Sequence, residues 1–465
     1  MIRKFLICFL AFAAMPFVFG FSYFFEMSTA YLVMWKNLLG AHYKLPIETP
    51  KPLIILLTGI FPQWCNFFLT PLLITFLVFA IVRVLRYLGV SNSGVFAGVF
   101  FAIFCNSQVL PFYFTYGFSY WPIVYLPIIL WAIVFFFEGR YAVAFTLIFF
   151  AALVRPEAWI IFVAILIYRF AKGEGIKAIY FLPIFAPLIW MLVDYRIGGT
   201  FFLSDTITRH YAVVTQNFIK PTPFKTYWFW VIKILTVDFN FIVFILGCAG
   251  IFLYFRRGRH CMKEKLLLAA LFFGMCVHWL ACLRGEFIIQ QRFLALPALF
   301  MAIYAGRFVG ERILKPQVLF YFLLLGAAAF SFINWDYAPF YNGLLHKTNE
   351  KAVGELRLFL KRNQDLIKNH QAVIVPVRNG GDFSLMLGEA DSHKLIFFRE
   401  ALADKQVKVD NSIGIYMSGE TMGFSQLQDC RKTMIKLHGQ AYCFDPIFIA
   451  SDRRVAMYEI KRSRL

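Results

Sequence analysis

The stretch Leu153-Val154-Arg155-Pro156-Glu157-Ala158-Trp159 interrupts apolar sequence on both sides, 141–154 before it and 157–171 after it. An arginine and a glutamate flanking a proline are costly inside a bilayer. A charge at the centre of a membrane helix costs about 2.5–3.5 kcal/mol on insertion scales. Such groups are kept where they sit at an interface or bind something polar. Both flanking segments are short for a hydrocarbon core of about 30 Å, which takes about 20 helical residues to cross. The pair therefore reads as a tilted or partly penetrating hairpin with its charged turn at one membrane face.

The rest of the chain has the same character. Its 465 residues are 60% hydrophobic and 19% aromatic but only 15% charged, and mean hydropathy is +0.67. Soluble domains carry about 25% charged residues. Apolar runs recur from Phe5 to Ala329, which predicts an all-α polytopic membrane domain. Eleven transmembrane spans are expected, at 5–25, 67–86, 94–111, 120–137, 141–154, 157–171, 178–195, 234–255, 266–283, 292–309 and 317–334. The shorter run Leu53–Phe61 reads as a re-entrant or interfacial segment ending at Pro62.

Basic residues give the orientation. Arg3 and Lys4, Arg83 and Arg86, Arg140, Arg169 and Lys172, Arg256 to Lys265, and Arg307 to Lys315 all fall on one side if the spans alternate. By the positive-inside rule that side is cytoplasmic, and the N-terminus lies there as a retained anchor. The Arg155-Pro156 turn and the residues from Asp336 onward are then extracytoplasmic. Of the 26 acids, 15 lie at or beyond Asp336, so the tail has ordinary globular composition. The chain divides into a membrane domain, 1–335, and a small C-terminal α/β domain, 336–465. Within the tail, helices are expected over 350–369 and 426–437, the second closed by Gly439, and strands over 372–377, 412–417, 447–450 and 455–460. Cys430 and Cys443 are its only cysteines; an exported domain is oxidised, so they are either a disulfide or two buried thiols. The other seven cysteines lack metal-ligand spacing and read as packing residues.

No phosphate-binding loop, zinc motif or Ser-His-Asp arrangement is visible, which excludes a nucleotide-driven pump. The net charge of +20 sits largely in short loops against anionic lipid, and no nucleic-acid motif accompanies it. Glu138, Glu174, Glu264 and Glu311 fall on the basic side and read as solvated loop charge. Glu26, Glu48, Glu157, Asp194, Asp205, Asp238 and Glu286 fall on or near the outer face and are the candidates for catalysis or metal binding. Lys51, Arg155, Arg196, Arg209, His210, Lys220, Lys225, Arg284 and Arg292 gather on the same face, against the orientation bias. Singly they read as side chains snorkelling to headgroups. As a set they suit a lipid-linked phosphate, which Arg binds in a planar bidentate way and Lys as a point charge. The aromatic clusters 112–121, with Tyr116 and Trp121, and 227–230 suit either a sugar and lipid path or an interfacial belt.

Four local features resemble the GT-C superfamily of integral-membrane glycosyltransferases. They are the first outer loop, Phe25-Glu26-Met27-Ser28-Thr29-Ala30-Tyr31; Thr49-Pro50-Lys51-Pro52-Leu53; Leu153-Val154-Arg155-Pro156-Glu157, similar to the family's L-T-R-P-E-G element; and Gln291-Arg292-Phe293-Leu294-Ala295-Leu296-Pro297, similar to its R-F-L-x-P-x-L-P element. Gly198 to Asp205 resembles, more distantly, a loop carrying G-D-P-L. The resemblance covers about 20–310. It implies a polyprenyl-phosphate sugar as donor and an extracytoplasmic acceptor hydroxyl that attacks C1 with inversion. Glu26 would be the general base, standing where the family usually has Asp. Arg155 and Arg292, then Arg209, His210 and Lys51, would hold the departing phosphate. Glu157, Asp205, Glu48, Tyr116 and Trp121 are further substrate-binding candidates. Some members use a divalent metal, and the outer acids show no diagnostic ligand spacing for one. Membrane lipids are the remaining expected partner, and a bacterial inner membrane the expected location. Two other classes stay open: a lipid or solute transporter, and an O-antigen ligase or polymerase that also uses lipid-linked sugars. Transporters favour broken helices near mid-membrane and paired halves, and neither is evident in the sequence.

Overall fold

The computed structural model describes residues 2–19, 26–46, 49–106, 109, 118, 120–173, 175, 177–207, 223–256, 262–284, 291–312, 321, 324–329, 352–376, 380–397, 409–417, 427, 432–437 and 440–463; a few side chains within these, Glu26 and Arg292 among them, fall outside the description. Among the described residues up to 312, the regular elements are all helices. The elements are α1 (Ile2–Phe19), α2 (Glu26–Leu38), α3 (Pro52–Ile60), α4 (Asn66–Tyr87), α5 (Asn92–Phe104), α6 (Trp121–Phe137), α7 (Tyr141–Ala152) and α8 (Ala158–Ala171). They continue with α9 (Phe185–Gly198), which extends a 3-10 stretch Ala178–Ile184, then α10 (Phe224–Lys233), α11 (Phe241–Arg256), α12 (Met262–Leu283) and α13 (Ala295–Arg312).

Three helices are long and apolar enough to cross a membrane: Asn66–Tyr87, Ala178–Gly198 and Met262–Leu283. A fourth crossing would come from 224–236 and 241–256 together, which are bent by 108° at their junction. The other apolar helices between 92 and 171 run to 17 residues or fewer. Length alone therefore gives three or four crossings among the described residues, not eleven. The last expected span, 317–334, is described only at 321 and 324–329. Large apolar side chains such as Leu192, Phe252, Phe272 and Phe273 are exposed on the outside of the bundle, as in a surface that meets lipid.

The short helices are packed by their neighbours. In α6, residues from Trp121 to Phe137 are buried on nearly every side, against α4, α7 and α13. Helix α13 lies against α5 and α11 through small residues. A Cβ at Gly306 would meet Gly98 Cα at 2.5 Å and Gly94 O at 2.7 Å, and one at Gly250 would meet Tyr304 O at 2.2 Å. Such spacing lets helix backbones approach closely where no hydrophobic force drives association.

Contacts sort the helix ends into two faces. On one, Arg83 pairs with Glu138 at 3.7 Å, Lys263 Nζ donates to the C-terminal carbonyls of Phe136 and Phe137, and Ser91 Oγ donates to Gly310 O. Glu264 lies on this face but is not solvated. It is 5% exposed and accepts from Tyr304 Oη at 2.8 Å and Arg307 Nη1 at 2.8 Å. An acid surrounded by apolar helices needs such partners, and α13 supplies both one turn apart. The α7–α8 turn, the N-terminus of α6 and the entry to α13 meet on the opposite face.

The tail carries one six-stranded sheet, order β2-β1-β3-β6-β5-β4. Its elements are α14 (352–362), α15 (Gln364–Lys368), β1 (Val373–Val375), α16 (Gly380–Ser392), β2 (Leu395–Phe397), β3 (Ser412–Met417), β4 (Thr433–Leu437), β5 (Gln440–Ile449) and β6 (Val455–Arg462). Strand β1 is parallel to β2 and β3; the other pairs are antiparallel. Alternation builds two cores: Val373, Val375, Val455 and Met457 pack with Leu356, Leu360 and Phe383, while Ile374, Tyr458 and Ile460 pack with Phe444 and Leu437. The helix expected over 426–437 is corrected: 433–437 is β4, with Ile435 and Leu437 buried and Met434 and Lys436 exposed, a period of two rather than 3.6. Leu437 pairs with Gln440, and Gly439, read as a helix stop, lies outside the described residues. Helix α16 and strand β2 are additions to the expected tail. Cys443 is a free thiol 3.8 Å from Asp445 Oδ2, not half of a disulfide; Cys430 lies outside the described residues.

The tail docks on segment 41–46. Asn37 pins that segment through its side-chain amide, with Nδ2 donating to Tyr43 O and Oδ1 accepting from Tyr43 N. His42 N then donates to Glu389 Oε1, Lys44 N to Ser392 Oγ, and Ser384 Oγ to Lys44 O.

Candidate functional site

The break at Pro156 positions the first side chain of the site. Proline has no N–H to continue the ladder and disfavours helical geometry in the residue before it. Helix α7 therefore ends at Ala152, and α8 restarts at Ala158. Two carbonyls left at the end of α7 are taken by other elements: Leu53 N donates to Leu153 O at 3.3 Å, and Trp190 Nε1 donates to Ala152 O at 2.9 Å. The turn is thus fixed from α3 and α9, and Arg155 projects from it.

Arg155 is held on three sides. Its guanidinium carbon stands 4.5 Å from the ring centroid of Trp121 and 4.6 Å from that of Phe293. A cation between two aromatic faces gains about 0.5–1 kcal/mol per contact when exposed and about 2 when desolvated. Along the guanidinium edge, Nε donates to Glu157 Oε2 at 2.8 Å and Nη2 donates to Glu157 Oε1. Nη1 makes no hydrogen bond among the described residues. The Arg155 side chain is 12% exposed and that of Glu157 39%, so the acid is the more solvated partner.

These groups line a cavity of about 60 Å³. Tyr125 and Trp121 of α6 form one wall, Ile160 and Ile161 of α8 another, Tyr227 of α10 and His278 of α12 a third, and Phe293 to Pro297 close it from the α13 side. Tyr125 Oη and Trp121 Nε1 are buried there without a hydrogen-bond partner among the described residues, each residue being 3% exposed. A buried polar atom left unpaired costs about 1–3 kcal/mol, so the cavity wall offers two donors to a polar occupant. The far wall is a relay. Tyr227 Oη lies 2.9 Å from Met275 O and 3.0 Å from His278 Nδ1. Met275 O only accepts, so the tyrosine hydrogen goes to it and His278 Nδ1–H donates to the tyrosine oxygen. That tautomer makes Nε2 the acceptor, and Cys282 Sγ is 3.9 Å from it.

The residues singled out in the sequence divide clearly. Arg155, Glu157 and Trp121 share this cavity, and the Phe293-Leu294 and Pro297 positions of the fourth motif join them. Arg292 belongs to the same 3-10 turn, Gln291–Leu294, but its side chain lies outside the description, as does that of Glu26 at the first position of α2. Glu48, Tyr116, Arg209 and His210 lie outside the described residues. Lys51 does not line the cavity: it is 3% exposed, and its Nζ donates to Tyr31 Oη at 2.8 Å and Thr49 O at 3.0 Å, which ties α2 to α3. Asp205 is exposed on the short helical stretch 203–207 after α9, while Asp194 accepts from Ser204 N and Oγ at the start of that stretch. Among the described residues no group of three or more His, Cys, Asp or Glu side chains converges on a common point. His278, Tyr125 and the role of Tyr227 were not read from the sequence. The available signal was His278 itself, a titratable side chain inside an apolar run, which marks a functional site by default.

Compared with protein-family models, with curated proteins and with solved structures, the chain matches none.

Proposed function

We propose that the chain is a membrane glycosyltransferase of the GT-C type, with eleven crossings, its cavity at the extracytoplasmic face, and a polyprenyl-phosphate sugar as donor. One observation carries the reading. The two motifs that resemble the family, at 153–157 and 291–297, are distant in sequence yet line one cavity, where Arg155 of the first lies over the Phe293 ring of the second. The short helices α5 to α8 fit such a domain as closely packed crossings around which the bilayer thins locally.

In this reading the donor phosphate binds the free edge of Arg155, and Trp121 Nε1 and Tyr125 Oη complete its hydrogen bonds. Trp121 and Phe293 fix the guanidinium plane so that binding costs little reorganisation. An acceptor hydroxyl attacks C1 of the sugar, the C1–O bond to phosphate breaks, and the electron pair leaves with the polyprenyl phosphate. The hydroxyl proton passes to a carboxylate, assigned to Glu26 at the start of α2. Glu157 orients Arg155. Its carboxylate also offsets part of the Arg155 charge from the opposite edge of the guanidinium.

The test is label transfer in proteoliposomes from radiolabelled polyprenyl-phosphate sugars to cell-envelope lipid. Transfer by the wild type, reduced about a hundredfold or more in R155A and lost in E26Q with both variants folded, supports the reading. Transfer that survives E26Q moves the base to another outer acid. A second reading, a lipid or solute transporter, is favoured by the 108° break between 224–236 and 241–256, the broken-helix feature that such proteins use. Movement of lipid-linked sugar between leaflets without transfer from any donor would establish it instead.

A further inference from the structure

A second, larger cleft of about 540 Å³ opens where the tail meets α2. Three helices each present a pair of residues four apart to it: Leu32 and Lys36 from α2, Arg357 and Lys361 from α14, and Gln364 and Lys368, with Lys368 closing α15. Four cations thus converge from three elements. The one acid on the wall among the described residues, Asp391, is already engaged by Lys394 at 3.3 Å. Lys368 has a loose exposed partner in Asp365 at 3.5 Å, and Lys36 lies 5.2 Å from the Tyr43 ring. Arg357 and Lys361 are exposed and have no acidic partner among the described residues. Like charges gathered this way repel, and nothing in the fold requires them: α14 packs into the tail core through Ala352, Leu356 and Leu360, not through its cations.

The cleft is not simply basic. Leu32, Leu360, Ile367 and Leu385 form its floor, Leu360 and Ile367 each being 5% exposed. Cations at a rim above an apolar floor fit a molecule with a phosphate at one end and hydrocarbon at the other. We infer that this cleft binds the headgroup phosphate of an anionic membrane lipid and so holds the tail against the bilayer surface. Arg357 supplies the planar bidentate contact, Lys361 and Lys36 point charges, and the acyl chain runs over Leu32. The inference is separate from the transfer reading, because neither the cavity at Arg155 nor any sugar enters it.

The test is native mass spectrometry of the detergent-purified full chain titrated with phosphatidic acid or phosphatidylcholine. The wild type and the control K436A, changed on the exposed side of β4, should retain phosphatidic acid in preference to phosphatidylcholine. R357A/K361A should lose about tenfold in apparent affinity, and R357K/K361R should keep most of it. Both substitutions alter exposed side chains, and the sheet band of the tail in the infrared reports that the domain is folded. Equal retention of the two lipids, unchanged retention by R357A/K361A, or displacement of the lipid by millimolar inorganic phosphate would each overturn the proposal.

Discussion

Arg155 illustrates how one side chain is tuned by what surrounds it. Two aromatic faces, at 4.5 and 4.6 Å, fix its plane, and Glu157 occupies one edge. Lysine cannot reproduce that arrangement, since it carries a point charge on a flexible stem and has no plane to stack. R155K should therefore recover little of the transfer lost in R155A, which initial rates at saturating donor would measure. The relay makes a separate prediction. Y227F removes the oxygen that accepts from His278 Nδ1–H, so the imidazole loses its fixed tautomer. The pH profile of transfer should change in shape while donor affinity stays within a few fold. A Y227F profile superposable on the wild type would remove the pair from the mechanism. At this scale the sequence was legible where charge contradicted its surroundings: Arg155 and Glu157 stood out because their position was costly. Lys51 stood out for the same reason but serves Tyr31 and Thr49. Residue type alone does not distinguish a ligand-binding cation from one satisfied within the fold.

At the scale of elements, the packing of α13 on α5 anchors the helix whose entry turn carries Phe293. A side chain at 306 meets backbone atoms of Gly94 and Gly98, which have no rotamer to move aside. G306L should lower stability by about 1–3 kcal/mol or more through overpacking, and G306A by less; the thermal midpoint of the purified protein measures both. An unchanged midpoint in G306L would mean that the helices are not in this contact. In the tail, Glu459 on β6 accepts from Lys461 at 2.8 Å and faces His370 at 3.5 Å. The Lys461 hydrogen bond, more than burial can oppose, holds its carboxyl below the ordinary range. A depressed carboxyl contributes stability that is complete above its unfolded value, about 4.3, and is lost as pH falls through the lower folded value. Melting of the sheet band in the infrared should fall more steeply on acidification in the wild type than in E459Q. Helices were easy to read here because apolar runs are long, and β4 was misread because 426–437 is short and carries both periods. A five-residue strand is decided by its partner β5, which local sequence does not reveal.

At the scale of the molecule, the two faces are chemically different. The face with Arg83, Glu138, Lys263, Glu264 and Arg307 is a network of satisfied charges. The opposite face holds the cavity with its unpaired polar atoms, and the tail docks through segment 41–46. That division was legible from the distribution of lysine and arginine. The docking was not, since it depends on Asn37 holding a short extended segment against α16. N37A should loosen it, and faster amide exchange at 41–46 and in α16, with α4 and α6 unaffected, would show this. The central claim is that the cavity at Arg155 receives a lipid-linked phosphate. It is tested most directly by a polyprenyl-phosphate sugar carrying a photoreactive group beside the phosphate, with the crosslinked residues mapped by mass spectrometry. The account predicts adducts in 155–161 and 293–297 that are lost in R155A. Adducts elsewhere, in equal yield from the wild type and R155A, would contradict it.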